Sequence, residues 1–304
     1  MITMIRPWLE LARISNLPTV WTNVTAGWLL AGGSLSSPLL LWMLLAGSLL
    51  YTGGMILNDA ADVKFDRDQR RERPIPSGRV SQLSAWIAGL GLLAAGWSIA
   101  IFLGGACWGL TTALVAAILF YDLYHKPWAG AVFVMGACRV LLYLMPGMPC
   151  QSDGCGPWWQ SVILPALALG AYIVGLTLVA RMEVSGAAAQ PLRVTCARLL
   201  LWLPGILAAL MLFNQQRLKP VFILADFTPL VPLILIFIFA GTVAHASRIM
   251  RRGGPDIGRA VGILLAAIPV VDALALSQVS LPLAFGFVAL APLLRLWQRW
   301  IAAT

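Results

Sequence analysis

Apolar runs of about 20 residues, the length that crosses a hydrocarbon core as a helix, recur from one end of this chain to the other. They fall at approximately residues 16–33, 38–58, 81–103, 105–122, 128–148, 159–181, 194–213, 227–247, 257–276 and 280–298. In hydrocarbon every backbone N–H and C=O needs a partner inside the protein, so segments of this length are expected to be helices. Hydrophobic residues make up 60% and charged residues 11% of the 304, and mean hydropathy is +0.85, whereas a soluble domain carries roughly 25% charged residues. Ordinary soluble classes are excluded. The expectation is an all-α membrane protein in which residues 1–304 form a single polytopic transmembrane domain. Pro269, Asp272 and Pro282 interrupt the last two runs, so the tenth is either an extra helix or half of a broken last one. The first run has no evident cleavage site and reads as a true span, not a removed signal.

Lysine and arginine placement orients the runs. Segments after even-numbered spans carry Lys64, Arg67, Arg70, Arg71, Arg73 and Arg79, then Lys126, then Arg181, Arg193 and Arg198, then Arg248, Arg251, Arg252 and Arg259. Connections after the first, third and fifth spans carry none, and the seventh is followed only by Arg217 and Lys219. Arg6 and Arg13 put the N-terminus on the basic side, which is expected to be cytoplasmic. Arg295 and Arg299 join it if the chain crosses ten times. The formal charge of +9 is therefore a topology signal and an attraction for anionic headgroups of membrane lipids; no basic patch interleaved with aromatics points to nucleic acid. Cys107, Cys138 and Cys196 lie in or beside apolar runs, where a small buried hydrophobe is expected. Cys150 and Cys155 fall in a predicted external loop, and whether they pair as a disulfide stays open.

Carboxylates are scarce, and five of the twelve acidic residues (Asp59, Asp62, Asp66, Asp68 and Glu72) crowd into fourteen positions directly after the second run. If that run continues as a helix, Asn58, Asp62 and Asp66 recur at i, i+4 and i+8 and project from nearly one face. Three oxygen-bearing side chains at a membrane boundary suit magnesium, a hard cation that keeps waters and bridges phosphate oxygens. Arg67, Arg70, Arg71 and Arg73 follow, able to neutralise the same phosphates through charge-assisted hydrogen bonds. Mixed charge that merely holds a helix end in water accounts for Asp68 and Glu72, but poorly for Asn58 and the even spacing.

The ladder Asn58-x-x-x-Asp62-x-x-x-Asp66, followed by Arg73-Pro74-Ile75-Pro76-Ser77-Gly78, resembles the first signature of the UbiA superfamily of intramembrane prenyltransferases. The resemblance is densest between Arg13 and Lys126. It implies a nine- to ten-helix transmembrane bundle with a central cavity capped on the cytoplasmic side, in a cell inner membrane. It also implies a polyprenyl diphosphate donor, an acceptor that the sequence does not identify, and Mg2+. By that resemblance Asn58, Asp62, Asp66 and Glu183 hold the metal, and Asp62, Asp66 and Lys126 are catalytic. Arg13, Asn16, Arg67, Arg73, Tyr121 and Arg181 then meet substrate. Tyr121-Asp122-Leu123-Tyr124-His125-Lys126 resembles the family segment whose lysine meets diphosphate, with Asp122 orienting Lys126 or adding to the acidic rim. Arg13-Ile14-Ser15-Asn16-Leu17-Pro18 resembles its entry segment. Asn16, Thr22 and Asn23 either line an acceptor pocket or satisfy one another between helices. The wording of Gly53 to Ala60 is most similar to a divergent bacterial branch associated with Ebo-type gene clusters.

One departure bears on mechanism. The family's second acidic motif carries two or more aspartates, but Ala180-Arg181-Met182-Glu183-Val184-Ser185-Gly186 offers only Glu183. The alternative to prenyl transfer is thus a UbiA-like protein that binds or moves a lipid-linked or hydrophobic precursor. An ordinary secondary transporter fits less well, because no internal repeat is evident and the acids sit on the rim. Arg139 and Asp272 lie deep in apolar runs, where a charge normally faces a cavity or a partner. Most tryptophans, Trp28 among them, sit near span ends as interface anchors do.

Overall fold

The computed structural model describes residues 2–126, 128–147, 159–185, 191–218 and 230–301, and the described residues contain no strand. A short amphipathic helix, α1 (Ile2–Leu11), precedes α2 (Leu17–Leu30) and α3 (Pro38–Ala61). Pro18 and Pro38 sit in the first turns of α2 and α3, where a missing N–H costs nothing. The cap helix α4 (Val63–Gln69) follows, then α5 (Gln82–Ser98), which runs on as a π-helical turn to Leu103. The Ser81 hydroxyl caps α5 by accepting from the Ser84 N–H at 3.0 Å. The chain continues through α6 (Trp108–Tyr124), α7 (Ala131–Leu144), α8 (Trp159–Ser185), α9 (Pro191–Leu218) and α10 (Leu230–Met250). It ends with α11 (Pro255–Ala266), α12 (Ile268–Leu276) and α13 (Leu281–Trp297).

Each apolar run coincides with a helix or helix pair. Six helical stretches are long and apolar enough to cross a membrane, and the shorter apolar helices include α6, α7 and α13; this is an integral, multi-pass membrane protein. The ambiguity of the last runs resolves in two parts. The ninth is broken at Ala267, two residues before Pro269, whose ring cannot donate to the ladder and crowds the preceding turn. The tenth is a helix of its own, with Pro282 harmless in its first turn.

Lipid cannot drive helices together by the hydrophobic effect, so contact falls to small residues that let backbones approach. A Cβ on Gly53 of α3 would lie 2.8 Å from the Gly89 carbonyl of α5, and one on Gly136 of α7 would lie 2.8 Å from the Gly170 carbonyl of α8. Burial separates centre from rim: α8 and the α11–α12 pair have 72% and 78% of their most apolar stretch buried, against 22% to 44% for α3, α5, α9 and α10. Large apolar side chains such as Leu41, Leu83, Phe133 and Phe237 point outward, as a lipid-facing surface requires. Two expectations are corrected here. Cys196 is exposed on α9, not buried, because a helix apolar on every side carries no mark of its lipid face. Trp28 is buried, not an interface anchor, and its indole N–H donates to the Ser34 carbonyl at 2.9 Å. Cys150 and Cys155 lie outside the described residues.

The Arg73–Gly78 segment folds as a compact turn. The Ser77 hydroxyl donates to the Arg73 carbonyl at 2.7 Å, and Ile75 and Val80 bury against Leu11, Ile56 and Val63. Gly78 closes it at φ +76° with open space around the missing Cβ, so glycine is required by backbone alone. Gly78→Ala is expected to cost about 1 kcal/mol and Gly78→Asn less, since asparagine tolerates that region; thermal unfolding in detergent checks the order.

Candidate active site

The cap is built where α3 ends. Asp62 leaves helical geometry at φ −82° and ψ 0°, and α4 starts again at Val63. The ladder of hydrogen bonds survives, from the Asp62 N–H to the Asn58 carbonyl at 3.0 Å and from the Asp66 N–H to the Asp62 carbonyl at 2.9 Å. The direction of the side chains does not. Asn58, Asp62 and Asp66 were expected on one face; the break at Asp62 instead divides the acidic residues into two groups.

The inner group faces α6. The Asn58 side-chain amide donates to Asp122 Oδ1 at 3.1 Å. Asp62 takes Lys126 Nζ at 2.9 Å on one oxygen and meets His125 Nε2 at 3.3 Å on the other. Lys126 also lies 3.6 Å above the Phe65 ring. Burial alone would raise the Asp62 carboxyl, but the hydrogen bonds and charges of His125 and Lys126 outweigh it and hold the group below its ordinary value. Asp122 therefore does not orient Lys126, as the sequence had allowed; it pairs with Asn58, and Asp62 receives the lysine.

The outer group faces the turn after α4. Asp59 Oδ1 takes Arg13 and Arg73, both at 3.1 Å, and Arg73 reaches Asp66 Oδ2 at 3.0 Å. Burial raises the Asp66 carboxyl against the pull of Arg73, with Asp59 and Asp62 adding to the rise. Arg13 itself sits just past α1 in the left-handed region, at φ 43°. A non-glycine residue held there stores strain of about 1–3 kcal/mol, and Tyr51 supports the position by donating its hydroxyl to the Arg13 carbonyl at 3.3 Å.

The remaining sequence candidates scatter. Tyr121 stacks on His125, with ring centroids 4.9 Å apart. Asn16 is buried below the cap, and its carbonyl accepts from the Thr19 hydroxyl at 2.7 Å. Arg181 donates to the carbonyls of His125 at 2.7 Å and Ala129 at 3.0 Å, so it pins the loop that carries Lys126. Arg67 is exposed on α4, and no ion pair joins it to these acids among the described residues. Glu183 lies in α8, but its side chain is outside the described residues. Sequence reasoning underrated Asp59 and His125. Asp59 stands about 100° around the helix from Asn58, a signal present in the spacing; the partner of His125 lies 63 positions away and left none.

Two buried carboxylate oxygens of the cap, Asp66 Oδ1 and Asp122 Oδ2, have no hydrogen-bond partner among the described residues. An unpaired buried acceptor is costly, and a hard divalent cation beside either carboxylate would satisfy its free oxygen. No cluster of three or more metal-ligating side chains is assembled among the described residues. The unpaired oxygens are the observation in favour of an ion here, and such an ion would have to take few protein oxygens and keep water or phosphate for the rest.

Beneath the inner group lies a cavity of about 80 Å³, lined by Tyr51 and Met55 of α3, Ile118 and Tyr121 of α6, and Met135 and Arg139 of α7. Arg139 is held from behind. It donates to Asn23 Oδ1 at 2.7 Å and to the Thr19 hydroxyl at 3.2 Å, while the Asn23 amide donates to Asp272 Oδ2 at 2.7 Å. Asn23 thereby links the two deep charges, the half-buried Arg139 of α7 and the buried Asp272 of α12.

A helical bundle with an acid- and cation-lined cap beside an apolar cavity defines a polytopic membrane protein whose candidate site joins charged groups to apolar space. The sequence profile of the UbiA prenyltransferase family matches residues 19–268, and the chain belongs to that family. It is 33% identical to the digeranylgeranylglyceryl phosphate synthase of Sulfolobus acidocaldarius over 39% of this chain and 42% of that protein. It is 36% identical to the enzyme of the same name from Methanopyrus kandleri over 44% and 51%. The 4-hydroxybenzoate octaprenyltransferase of Pectobacterium atrosepticum is 32% identical over 41% and 44%. The chain thus spans about half the length of the curated relatives it matches. A solved UbiA homologue from Aeropyrum pernix superposes with TM-score 0.58 at 16% identity, covering 88% of this chain and 98% of that one. A solved structure described as digeranylgeranylglyceryl phosphate synthase in membranes reaches TM-score 0.60 at 17% identity, covering 92% of this chain and 99% of that one. At those identities the likeness speaks for the fold alone.

Proposed function

We propose that this chain is an intramembrane prenyltransferase that moves a prenyl group from a polyprenyl diphosphate to an acceptor, in a Mg2+-dependent reaction. The observation that carries the reading is the Lys126–Asp62 ion pair of the cap together with Asp122, which has an unpaired oxygen and lines the apolar cavity. Family membership and the names of the relatives support it. In this reading residues 1–304 act as one domain in a cell inner membrane, with the acidic cap facing the cytoplasm. The lysines and arginines after even-numbered spans support that orientation.

Asn58, Asp62, Asp66 and Asp122 are the described residues suited to hold the metal, with Glu183 the contribution of the second motif. When bound, Mg2+ supplies positive charge to the diphosphate oxygens. Lys126 exchanges its Asp62 partner for a diphosphate oxygen as the donor enters, and Arg13 and Arg73 add charge from the outer group. Fixed cations aimed at charge that grows on the leaving group lower the barrier most where water is scarce. Arg181 positions the Lys126 loop. The allylic C–O bond then breaks with its electron pair going to the diphosphate. The first isoprene carbons lie in the cavity, where Met55, Ile118 and Met135 exclude water. The faces of Tyr51 and Tyr121 steady the allylic cation, and the acceptor attacks it and loses a proton. Arg67, exposed on α4, meets the incoming diphosphate before it seats, and Asn16 lines the acceptor side.

A second reading, binding of a lipid-linked precursor without transfer, draws on the ion pairing of Asp59, Asp62 and Asp66 with the protein's own cations and on the lone Glu183. Diphosphate release from geranylgeranyl diphosphate by the protein in nanodiscs, with Mg2+ and a membrane extract as acceptor source, separates the two. Transfer requires release that Lys126→Ala lowers roughly 100-fold. Donor that binds but is never cleaved, at any chain length, leaves the binding reading in place.

A further inference from the structure

Outside the Lys126 side of the cap, α1, the turn after α4 and the segment after α13 enclose a vestibule of about 530 Å³, within the range of small-molecule sites. Six arginines line it against three acids. They come from three distant parts of the chain, so their convergence is a product of the fold and not of a local basic run. We propose that this vestibule is a second phosphate site, one that takes the phosphate of an anionic amphiphile.

The cations are held in place before any ligand arrives. Arg79 uses three nitrogens at once: Nε donates to the Ser77 hydroxyl at 3.0 Å, Nη1 to Glu10 Oε2 at 2.8 Å and Nη2 to the Glu72 carbonyl at 2.7 Å. The other Glu10 oxygen accepts from Arg6 Nε at 3.1 Å. Glu10 is therefore a clamp that sets two guanidinium groups side by side at the rim. Arg13 and Arg73 are joined through their shared Asp59 oxygen, and Arg299 from the segment after α13 completes the lining. Excess positive charge repels a bare metal ion and suits phosphate, whose oxygens match the guanidinium fork. The amphiphile follows from the rim. Ile5 is 49% and Trp300 80% exposed beside these charges, the arrangement of a helix lying in the interface plane with apolar groups toward acyl chains.

The shared chemistry admits two sources, a bilayer phospholipid headgroup or the phosphate of a phosphorylated acceptor. Native mass spectrometry of the full chain tests the site with phosphatidylglycerol, with zwitterionic phosphatidylcholine, and with soluble glycerol phosphate as competitor. Phosphatidylglycerol is expected to be retained over phosphatidylcholine, and the pair Arg79→Gln/Arg299→Gln to weaken its retention by about 10-fold. Displacement by glycerol phosphate assigns the site to a phosphorylated acceptor, and resistance to it assigns the site to bilayer lipid. Equal retention of the two lipids, or retention unchanged in the double variant, overturns the proposal. Arg299→Gln alone, at an exposed position, repeats the test should the double variant fold poorly. Mg2+-dependent binding of geranylgeranyl diphosphate is read in the same samples and is expected to change little in the variants. Its loss from the wild type would count against prenyl transfer, not against this site.

Discussion

Asp62→Asn is expected to lower Mg2+-dependent diphosphate release by roughly 1,000-fold while leaving the helical fold intact, the upper range for removal of one group from a preorganised charged site. Among the described residues Asp62 is the only acid of the cap that meets both Lys126 and His125, and it stands at the break between α3 and α4. Its loss removes a metal oxygen and frees Lys126 to swing. Asp59→Asn is the informative partner. Asp59 serves Arg13 and Arg73 on the outer side, so its replacement is expected to cost about 10-fold, the low end for a residue that acts through others. Steady-state release measured on both variants checks the division. A larger loss for Asp59→Asn than for Asp62→Asn would mean that the chemistry sits on the outer side of the break.

Asn23→Leu is expected to destabilise the protein by about 3 kcal/mol, the low end of the cost of breaking a buried charge network. Arg139 and Asp272 do not touch; they meet through the two ends of one asparagine amide. Leucine fills similar space but can neither accept from the guanidinium nor donate to the carboxylate. The same substitution made together with Arg139→Leu and Asp272→Leu is expected to recover most of the loss, because no charge then remains to be solvated. Thermal unfolding in detergent, followed by helicity, reads both. If Asn23→Leu unfolds at the wild-type temperature, the deep charges are being satisfied by something other than this bridge.

Much of the fold was legible because apolar length is a physical requirement of the bilayer. All ten runs became helical, and Pro269 marked the break in the ninth through its missing donor. The lipid face was not legible. Cys196 and Trp28 ended on the sides opposite to expectation because a chain apolar on every helix face has little periodicity to read. In the site, the residues of the acidic segment could be picked out, but not their grouping. The i, i+4, i+8 spacing shares a face only on an unbroken helix, and neither glycine nor proline marks the change of direction at Asp62. The partners that divide the cap are remote in sequence: Asn58 finds Asp122, and Asp59 finds Arg13. Spacing along one segment carries no information about those pairings. The R-P-x-P-S-G segment was recognisable as a pattern, while its physical reason, a left-handed glycine closing a turn packed on α1 and α3, became visible only in three dimensions.

The most direct measurement is equilibrium binding of geranylgeranyl diphosphate to the purified protein, with Mg2+ and with chelator, for wild type, Asp62→Ala and Glu183→Ala. Binding that needs Mg2+ and is lost in Asp62→Ala is the expected result, and the Glu183→Ala value then reports how much the reduced second motif contributes. Binding that is indifferent to both chelator and Asp62, or no binding of geranylgeranyl, farnesyl or longer diphosphates, would contradict a metal-dependent prenyl diphosphate site in this cap.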